Sequence, residues 1–375
     1  MIKFAEPWIT DNDKKAVADV LDSGWLAQGA KVTAFEERIA EVSGTRYAVA
    51  TSSATMAAAI FFDYFARIKP HYRKYGLQPV ALMPAITFPS LAVQLKRRGW
   101  KIEVADIDPD TWCMRMPKDA NPSDYDLIVP TDYAGLRAPK YSNSTWGTPV
   151  LVDAACSFGI PVNKNGAFVA AVHSFYANKT ITTGNGGALV TDDQELYDYA
   201  RQARLHGLSL NTFERDRKHS TGKAYDVTFA GLKANMTDLQ AALGLSQVER
   251  ITRVVSRRTS LVEQYHRRLK GHDCIQLQSL NDASGHCMMP AVITPTSSPG
   301  PDRNSLREAL KEKDIQTSMH YPSLRSHTLF QKCEGDTYAV SADWSEKAIS
   351  LPLHSNMTVG DCDAVCNVML EHFDK

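Results

Sequence analysis

Residues 170–191 read AAVHSFYANKTITTGNGGALVT. Ala170–Phe175 is an apolar run with the length of a buried strand, Gly187–Thr191 is a second, and the segment between them is polar and dense in glycine. Gly184-Asn185-Gly186-Gly187 allows a backbone to approach a ligand closely. The run does not match the dinucleotide fingerprint G-x-G-x-x-G and precedes a strand instead of following one, which disfavours a nicotinamide site. Lys179, just past the first strand, would by itself read as a surface lysine. What it does depends on what the fold brings beside it.

The same rhythm extends toward the N-terminus. Tyr47–Ala50, Val80–Pro84, Lys101–Ile107, Leu127–Asp132 and Val150–Ala154 are short apolar runs, several rich in Val and Ile and flanked by Pro, Gly, Asp or Ser. That pattern predicts buried strands in a mostly parallel α/β sheet. Met56–Arg67 and Ser90–Arg98 have the length of connecting helices. Upstream, Thr10 with Asp13 resembles a capping box opening a helix that stops at Gly24, and a second helix covers Val32–Val42. Downstream of Leu239 the pattern turns helical. Leu239, Ala242, Leu243, Leu245, Val248 and Ile251 start one long helix running to Leu269. A strand at Met288–Ile293 and helices at Arg303–Glu312 and Gly360–Phe373 follow, the composition of a smaller α+β unit. The polar stretch Leu210–Tyr225 predicts a long loop.

Composition bounds the rest. With 375 residues, 43% hydrophobic and 22% charged, the chain suits two packed units and not broad disorder. Lys plus Arg and Asp plus Glu both number 42, so no basic excess supports a nucleic-acid partner. No apolar stretch has the length of a membrane span, and the N-terminus lacks a signal-peptide pattern. The 7 cysteines are scattered with no C-x-x-C pair, and Cys362 and Cys366 read as one face of a helix. A metal is not expected, and a reducing cytoplasm fits this cysteine usage best.

Two more features fall at strand ends. Asp153 closes the run Val150-Leu151-Val152, where it could be a helix cap or the partner of a protonated ring nitrogen. Thr51-Ser52-Ser53-Ala54-Thr55 follows the Tyr47 strand and opens a helix, where free amides and hydroxyls suit a phosphate. A phosphate cradle, a pyridinium partner and a lysine able to form an imine are together what pyridoxal 5′-phosphate (PLP) requires.

On these motifs the chain resembles the DegT/DnrJ/EryC1/StrS sugar aminotransferases of the aspartate-aminotransferase fold group (fold type I). The resemblance rests on Gly24-Trp25, Gln28-Gly29, Phe35-Glu36-Glu37, Ser53 to Ala57, Pro84 to Phe88, Asp106-Ile107-Asp108, Asp153-Ala154-Ala155, Ser174-Phe175 with Lys179, Gly184 to Gly187, and His206-Gly207. It continues through Gly231 to Ala242, His320-Tyr321-Pro322 and Ser350 to Leu353. It implies an α/β fold with a mostly parallel seven-stranded sheet in a large PLP-binding domain (1–248, including the N-terminal helices) and a small α+β domain (249–375). It implies Lys179 as the Schiff-base lysine, Asp153 against the pyridine nitrogen, Phe88 stacked on the ring, and Ala54, Thr55 and Ser174 on the phosphate. Asn235, with Lys233, would reach the phosphate of a neighbouring subunit in a homodimer. Trp25, His320 and Tyr321 would lie near the substrate.

There are departures. Ala54 stands where the phosphate turn usually has Gly. Cys156 replaces a Gln that contacts the cofactor hydroxyl, and a thiol is the weaker hydrogen-bond former. Asn185 replaces a Glu, and Gln78-Pro79-Val80-Ala81 stands in place of a Gly-Asp-Glu-Val approach. The expected reaction is transfer of an amino group, with glutamate as donor, to a nucleotide-linked keto sugar through a Lys179 imine. The alternatives are a PLP-dependent sugar dehydratase, whose relatives carry His at the lysine position, amination of a non-sugar carbonyl, and a non-catalytic regulator on the same fold.

Overall fold

A computed structural model describes the chain except residues 69–75, 140–146, 163, 165–167, 210–224, 280–286, 296–299, 336–337 and 375. The Leu210–Tyr225 stretch therefore lies almost wholly outside the described residues.

Two helices open the chain, α1 (Asp11–Ser23) and α2 (Ala30–Ser43). Thr10 and Asp13 form the expected capping box, and α1 ends on Gly24 in the left-handed region. Strand β1 (Tyr47–Thr51) and helix α3 (Ala54–Ile68) follow, then β2 (Val80–Pro84), α4 (Ser90–Arg97), β3 (Lys101–Ala105), β4 (Leu127–Ile128), β5 (Val150–Asp153), β6 (Phe168–Ser174), β7 (Gly187–Thr191) and α5 (Gln194–Ala203). With β10 (Glu334–Gly335) these strands make one sheet in the order β1-β7-β6-β5-β4-β2-β3-β10. Strand β7 runs antiparallel to both neighbours, and every other pairing is parallel.

All residues of β5 and β7 are buried, so their apolar runs are continuous and not alternating. One face of the sheet packs on α3, α4 and α5, through side chains such as Phe61, Leu95 and Leu196. The other packs on α2 and on α6 (Asp238–Val248), through Phe35, Ile39 and Ala241.

The expected single helix from Leu239 to Leu269 is two. Between α6 and α7 (Ile251–Leu269), Arg250 leaves the helical region at φ −113° and ψ 17°. No Gly or Pro marks the break; a tertiary ion pair holds it. The Arg250 guanidinium donates to both oxygens of buried Asp13, at 2.9 and 2.6 Å, and to the Trp8 carbonyl at 2.8 Å. The same contact seats α1 against the bend.

Beyond α7, β8 (Ile275–Leu277), β9 (Met289–Ile293) and β11 (Ala348–Leu351) form an antiparallel sheet in the order β11-β9-β8. It packs on α7, α8 (Arg303–Glu312) and α10 (Val359–Phe373), with Leu261, Tyr265, Leu306, Val365 and Met369 in its core. Helix α9 (Ala339–Lys347) leads into β11. Residues between α8 and α9 return to the large sheet: Leu324, Phe330, Cys333 and Tyr338 join its first core. There β10 pairs with β3 as an eighth strand where seven were expected.

One buried ion pair clamps the start of the sheet. Glu36 on α2 accepts from the Ala50 amide at 2.7 Å, while Arg204, after α5, donates to the Ala50 carbonyl at 2.8 Å and pairs with Glu36. Their side chains are 2% (Arg204) and 11% (Glu36) exposed. Removing one partner strands the other charge in the interior. Arg204→Ala should therefore lower unfolding free energy by about 3–5 kcal/mol in urea titration, and a loss below about 1 kcal/mol, the level of a surface pair, would contradict the clamp.

Candidate active site

The parallel strands end on one side of the sheet, and their carboxyl ends surround a cavity of about 320 Å³. Its wall includes Ala54 and Thr55 after β1, Phe88 after β2, Asp153 at the end of β5 with Cys156 beyond it, and Ser174 at the end of β6 with Lys179 beyond it. His320 and Tyr321 complete it. Nine of the residues predicted from sequence thus meet in one space.

At one end lies the first turn of α3. Thr51 Oγ1 donates to the Ser53 carbonyl at 2.9 Å, and the Met56 amide is capped by Ser53 Oγ at 3.2 Å. The Ala54 and Thr55 amides have no acceptor among the described residues. They lie at the positive end of a 15-residue helix, an arrangement that attracts an anion. Gly187 of β7 makes the turn possible: a Cβ there would lie 2.2 Å from the Ala54 amide nitrogen.

At the other end stands Asp153. It is 4% exposed and accepts from the Ala155 amide at 3.1 Å. Burial first, and the Cys156 thiol second, raise its pKa to about 6, against the pull of that amide and of Lys179. Its neighbour Asp132 is also buried. Burial raises it to about 6 despite bonds from Ser157 Oγ at 2.6 Å and the Ala138 amide at 2.8 Å.

Lys179 enters from the turn after β6, where its amide bonds to the Tyr176 carbonyl at 3.0 Å. Its Nζ donates to Cys156 Sγ at 3.1 Å. Burial is the largest single influence and favours the neutral amine. The Cys156 and Cys287 thiols and the Asp153 carboxylate together outweigh it and push the pKa up, so the ammonium is the resting form. The Phe88 ring, 55% exposed, stands at the rim 5.8 Å from that of Tyr321. Tyr321 Oη approaches Cys156 Sγ at 4.0 Å. His320 Nδ1 lies 3.0 Å from Ser350 Oγ, and its ring stacks on Phe4 at 5.2 Å. Burial, then the Lys179 charge, lower the His320 pKa to about 4, so it is neutral near pH 7.

Three predicted residues lie outside the cavity lining. Trp25 is half-buried; its Nε1 donates to the Gln28 carbonyl at 3.2 Å and its ring covers Gly29, where a Cβ would meet it at 2.3 Å. Gly29 in turn gives its amide to Asp238 at 2.7 Å. Lys233 is exposed and Asn235 half-buried, on a strip bridged to Leu205 and Thr51. Sequence reasoning missed Cys287 and the buried state of Asp132. Cys287 carries no local motif, and its place beside Lys179 follows only from long-range packing.

The residues fit PLP on observations of this chain: acceptor-free amides at a helix start, a buried carboxylate that a pyridinium would neutralise, and an amine between two strand ends. The fold is that of the type I PLP enzymes, and the chain is a PLP-dependent aminotransferase by class. The sequence matches the DegT/DnrJ/EryC1/StrS aminotransferase family over residues 7–370, so the chain belongs to that family.

Solved structures agree on the fold. PseC of Helicobacter pylori, an aminotransferase of pseudoaminic acid biosynthesis, superposes with a TM-score of 0.85 at 25% identity, covering 100% of this chain and 99% of that one. The sugar aminotransferase Spr1654 of Streptococcus pneumoniae, in its PMP form, gives 0.84 at 23% identity over 100% and 99%. ColD, a GDP-4-keto-6-deoxymannose-3-dehydratase with bound GDP-perosamine, gives 0.83 at 18% over 98% and 100%. The last two likenesses carry the fold alone.

The raised Asp153 pKa has a thermodynamic consequence. Its folded value, about 6, lies above the model-peptide value, so the ionised group costs the cofactor-free fold stability above pH 6. The cost fades as pH falls toward 4. Asp153→Asn should raise the melting temperature of cofactor-free protein at pH 8, by about 1–3 kcal/mol in stability, and leave it unchanged at pH 4. The same change should weaken PLP retention on dialysis. Destabilisation at pH 8 would contradict an uncompensated buried carboxylate.

Proposed function

We propose that this chain transfers an amino group from an amino acid, glutamate by preference, to a keto group on a nucleotide-linked sugar. The observation that carries the reading is a lysine at 179 whose Nζ enters the same cavity as a buried carboxylate and an unpaired amide cradle.

Each residue then has a task. The Ala54 and Thr55 amides with Ser174 would hold the phosphate, Phe88 would cover one face of the ring, and Asp153 would keep the ring nitrogen protonated. When bound, PLP supplies the electron sink that makes the donor's α-proton removable. Lys179 Nζ takes that proton and returns it on the other side of the transfer. His320, neutral at physiological pH, and Tyr321 line the mouth where a sugar would sit, as hydrogen-bonding partners and not as charges. In this reading residues 1–248 carry the cofactor site, and 249–375 form the smaller unit that contributes His320 and Tyr321.

The functional unit is a homodimer in this proposal. Lys233 and Asn235 stand outside their own cavity beside the phosphate turn, with the Ala234 carbonyl accepting from Ser52 at 2.7 Å. That placement supports service to a partner's phosphate. A cytoplasmic location is supported by 7 scattered cysteines with no C-x-x-C pair among them. Among the described residues no helix is long and apolar enough to cross a membrane.

The likeness to ColD keeps the dehydratase reading in view, but Lys179 stands where that branch carries His, and of the two only lysine offers a primary amine as nucleophile. Purified protein with PLP should absorb in the visible, and a competent donor should bleach the band. Screening amino acids and keto sugars by that change identifies both halves of the reaction. Lys179→Ala should abolish the donor response and lower turnover on the order of 10⁴-fold or more. Full turnover in that variant would refute the proposal.

A further inference from the structure

The Cys156 thiol is unlike a core cysteine. It lines the cavity, receives the Lys179 Nζ–H at 3.1 Å and has Tyr321 Oη at 4.0 Å. A second thiol, Cys287, packs in the same buried cluster, where it interacts with the Cys156 thiol. Cys287 is fixed from both sides of its backbone: its amide donates to the Ala134 carbonyl at 2.9 Å, and its carbonyl accepts from Arg258 at 3.0 Å. The two thiols come from distant parts of the chain, one after β5 and one before β9.

We propose that Cys156 and Cys287 form an oxidisable dithiol at the Lys179 amine, a modification site through which a peroxide controls the enzyme. The pair shares protons unequally. Cys156 donating to it, together with the nearby Lys179 charge, draws the Cys287 pKa down to about 6, while Cys156 itself is held protonated. A thiol pair with ready access to its thiolate reacts faster with peroxide than an apolar buried thiol does.

The steps balance. A thiolate attacks one oxygen of hydrogen peroxide, releasing hydroxide and leaving a sulfenic acid. The second thiol then attacks that sulfur, the S–S bond forms, and water leaves. Two thiols and one peroxide give one disulfide and two waters. In the disulfide, Cys156 Sγ has no proton and little acceptor strength, so Lys179 loses its partner and the cavity wall beside it is reshaped. Control of turnover rests on the proposed function; the disulfide itself does not.

The chain contains its own control. Cys362 and Cys366 on α10, one helical turn apart, are sealed in the small core, where Cys362 Sγ donates to the Leu261 carbonyl at 3.7 Å. Their thiols should stay reduced. The holoenzyme would be treated with graded hydrogen peroxide, alkylated under denaturing conditions, digested without reductant and analysed by mass spectrometry.

A Cys156–Cys287 peptide should appear, two of the 7 thiols should vanish, dithiothreitol should restore both, and turnover should fall in proportion to the linked fraction. Cys287→Ser, or Cys287→Ala if serine disturbs packing, should give no cross-link. Retention of all thiols at a dose that oxidises free cysteine, equal linking of Cys362 to Cys366, or a different partner for Cys156 would overturn the site. A cross-link without loss of turnover would overturn its control of Lys179. Because the mapping needs no substrate, its outcome stands apart from that of the aminotransferase reading.

Discussion

The site depends on a close approach that only glycine permits. Where β7 crosses the first turn of α3, the backbone at Gly187 comes so near that a methyl group would sit 2.2 Å from the Ala54 nitrogen and 2.4 Å from the Ser53 carbonyl carbon. That contact sets the height of the amide cradle above the strand ends. Because β7 is hydrogen-bonded to both β1 and β6, the same approach fixes the cradle relative to the strand that leads to Lys179. Strand β6 in turn pairs with β5 and so positions Asp153. The anion end, the amine and the carboxylate are therefore held by adjacent ladders of one rigid sheet, the kind of support that holds reacting groups in register.

The electrostatics follow from where those ladders end. Two carboxylates, Asp153 and Asp132, lie next to one another in the interior, and burial lifts both to about 6. The cofactor-free fold thus holds negative charge that its own cations only partly offset. A bound pyridinium would supply what is missing, so part of the binding energy comes from relief of a cost already present in the fold. Cys156 belongs to the same balance. Where an amide side chain would offer a neutral donor, the thiol accepts from Lys179 and couples it to Cys287.

Much of this was legible one residue at a time. The apolar runs at 80–84 and 187–191 match their strands residue for residue, because a doubly covered strand needs an unbroken apolar string. The helix at 303–312 likewise has the expected bounds, and the structure shows Asp302 capping it. Leu127–Asp132 contracts to a two-residue ladder, although the chain runs on beside β5: the Pro130 carbonyl accepts from the Asp153 amide, and the Asp132 amide donates to the Asp153 carbonyl. The break at Arg250 has no local signal, since its cause is Asp13, far away in the sequence. The short strand at 334–335 is equally silent: two residues give no period, and the need for Gly335 arises only in the fold, where a Cβ would lie 2.0 Å from the Val104 carbonyl oxygen of β3.

The sequence by itself determined the candidate groups: an amine at 179, a carboxylate at 153 and a hydroxyl-rich helix start at 53–55 are local patterns tied to strand ends, and strand ends are visible as the limits of apolar runs. Tertiary structure alone decided the surroundings that tune those groups. It laid the Trp25 ring over Gly29, and it brought Cys287 into one buried cluster with Cys156. The physical reason is range. Periodicity and capping report interactions between residues a few positions apart, whereas protonation state, burial and thiol pairing depend on neighbours that the chain reaches only after folding back on itself.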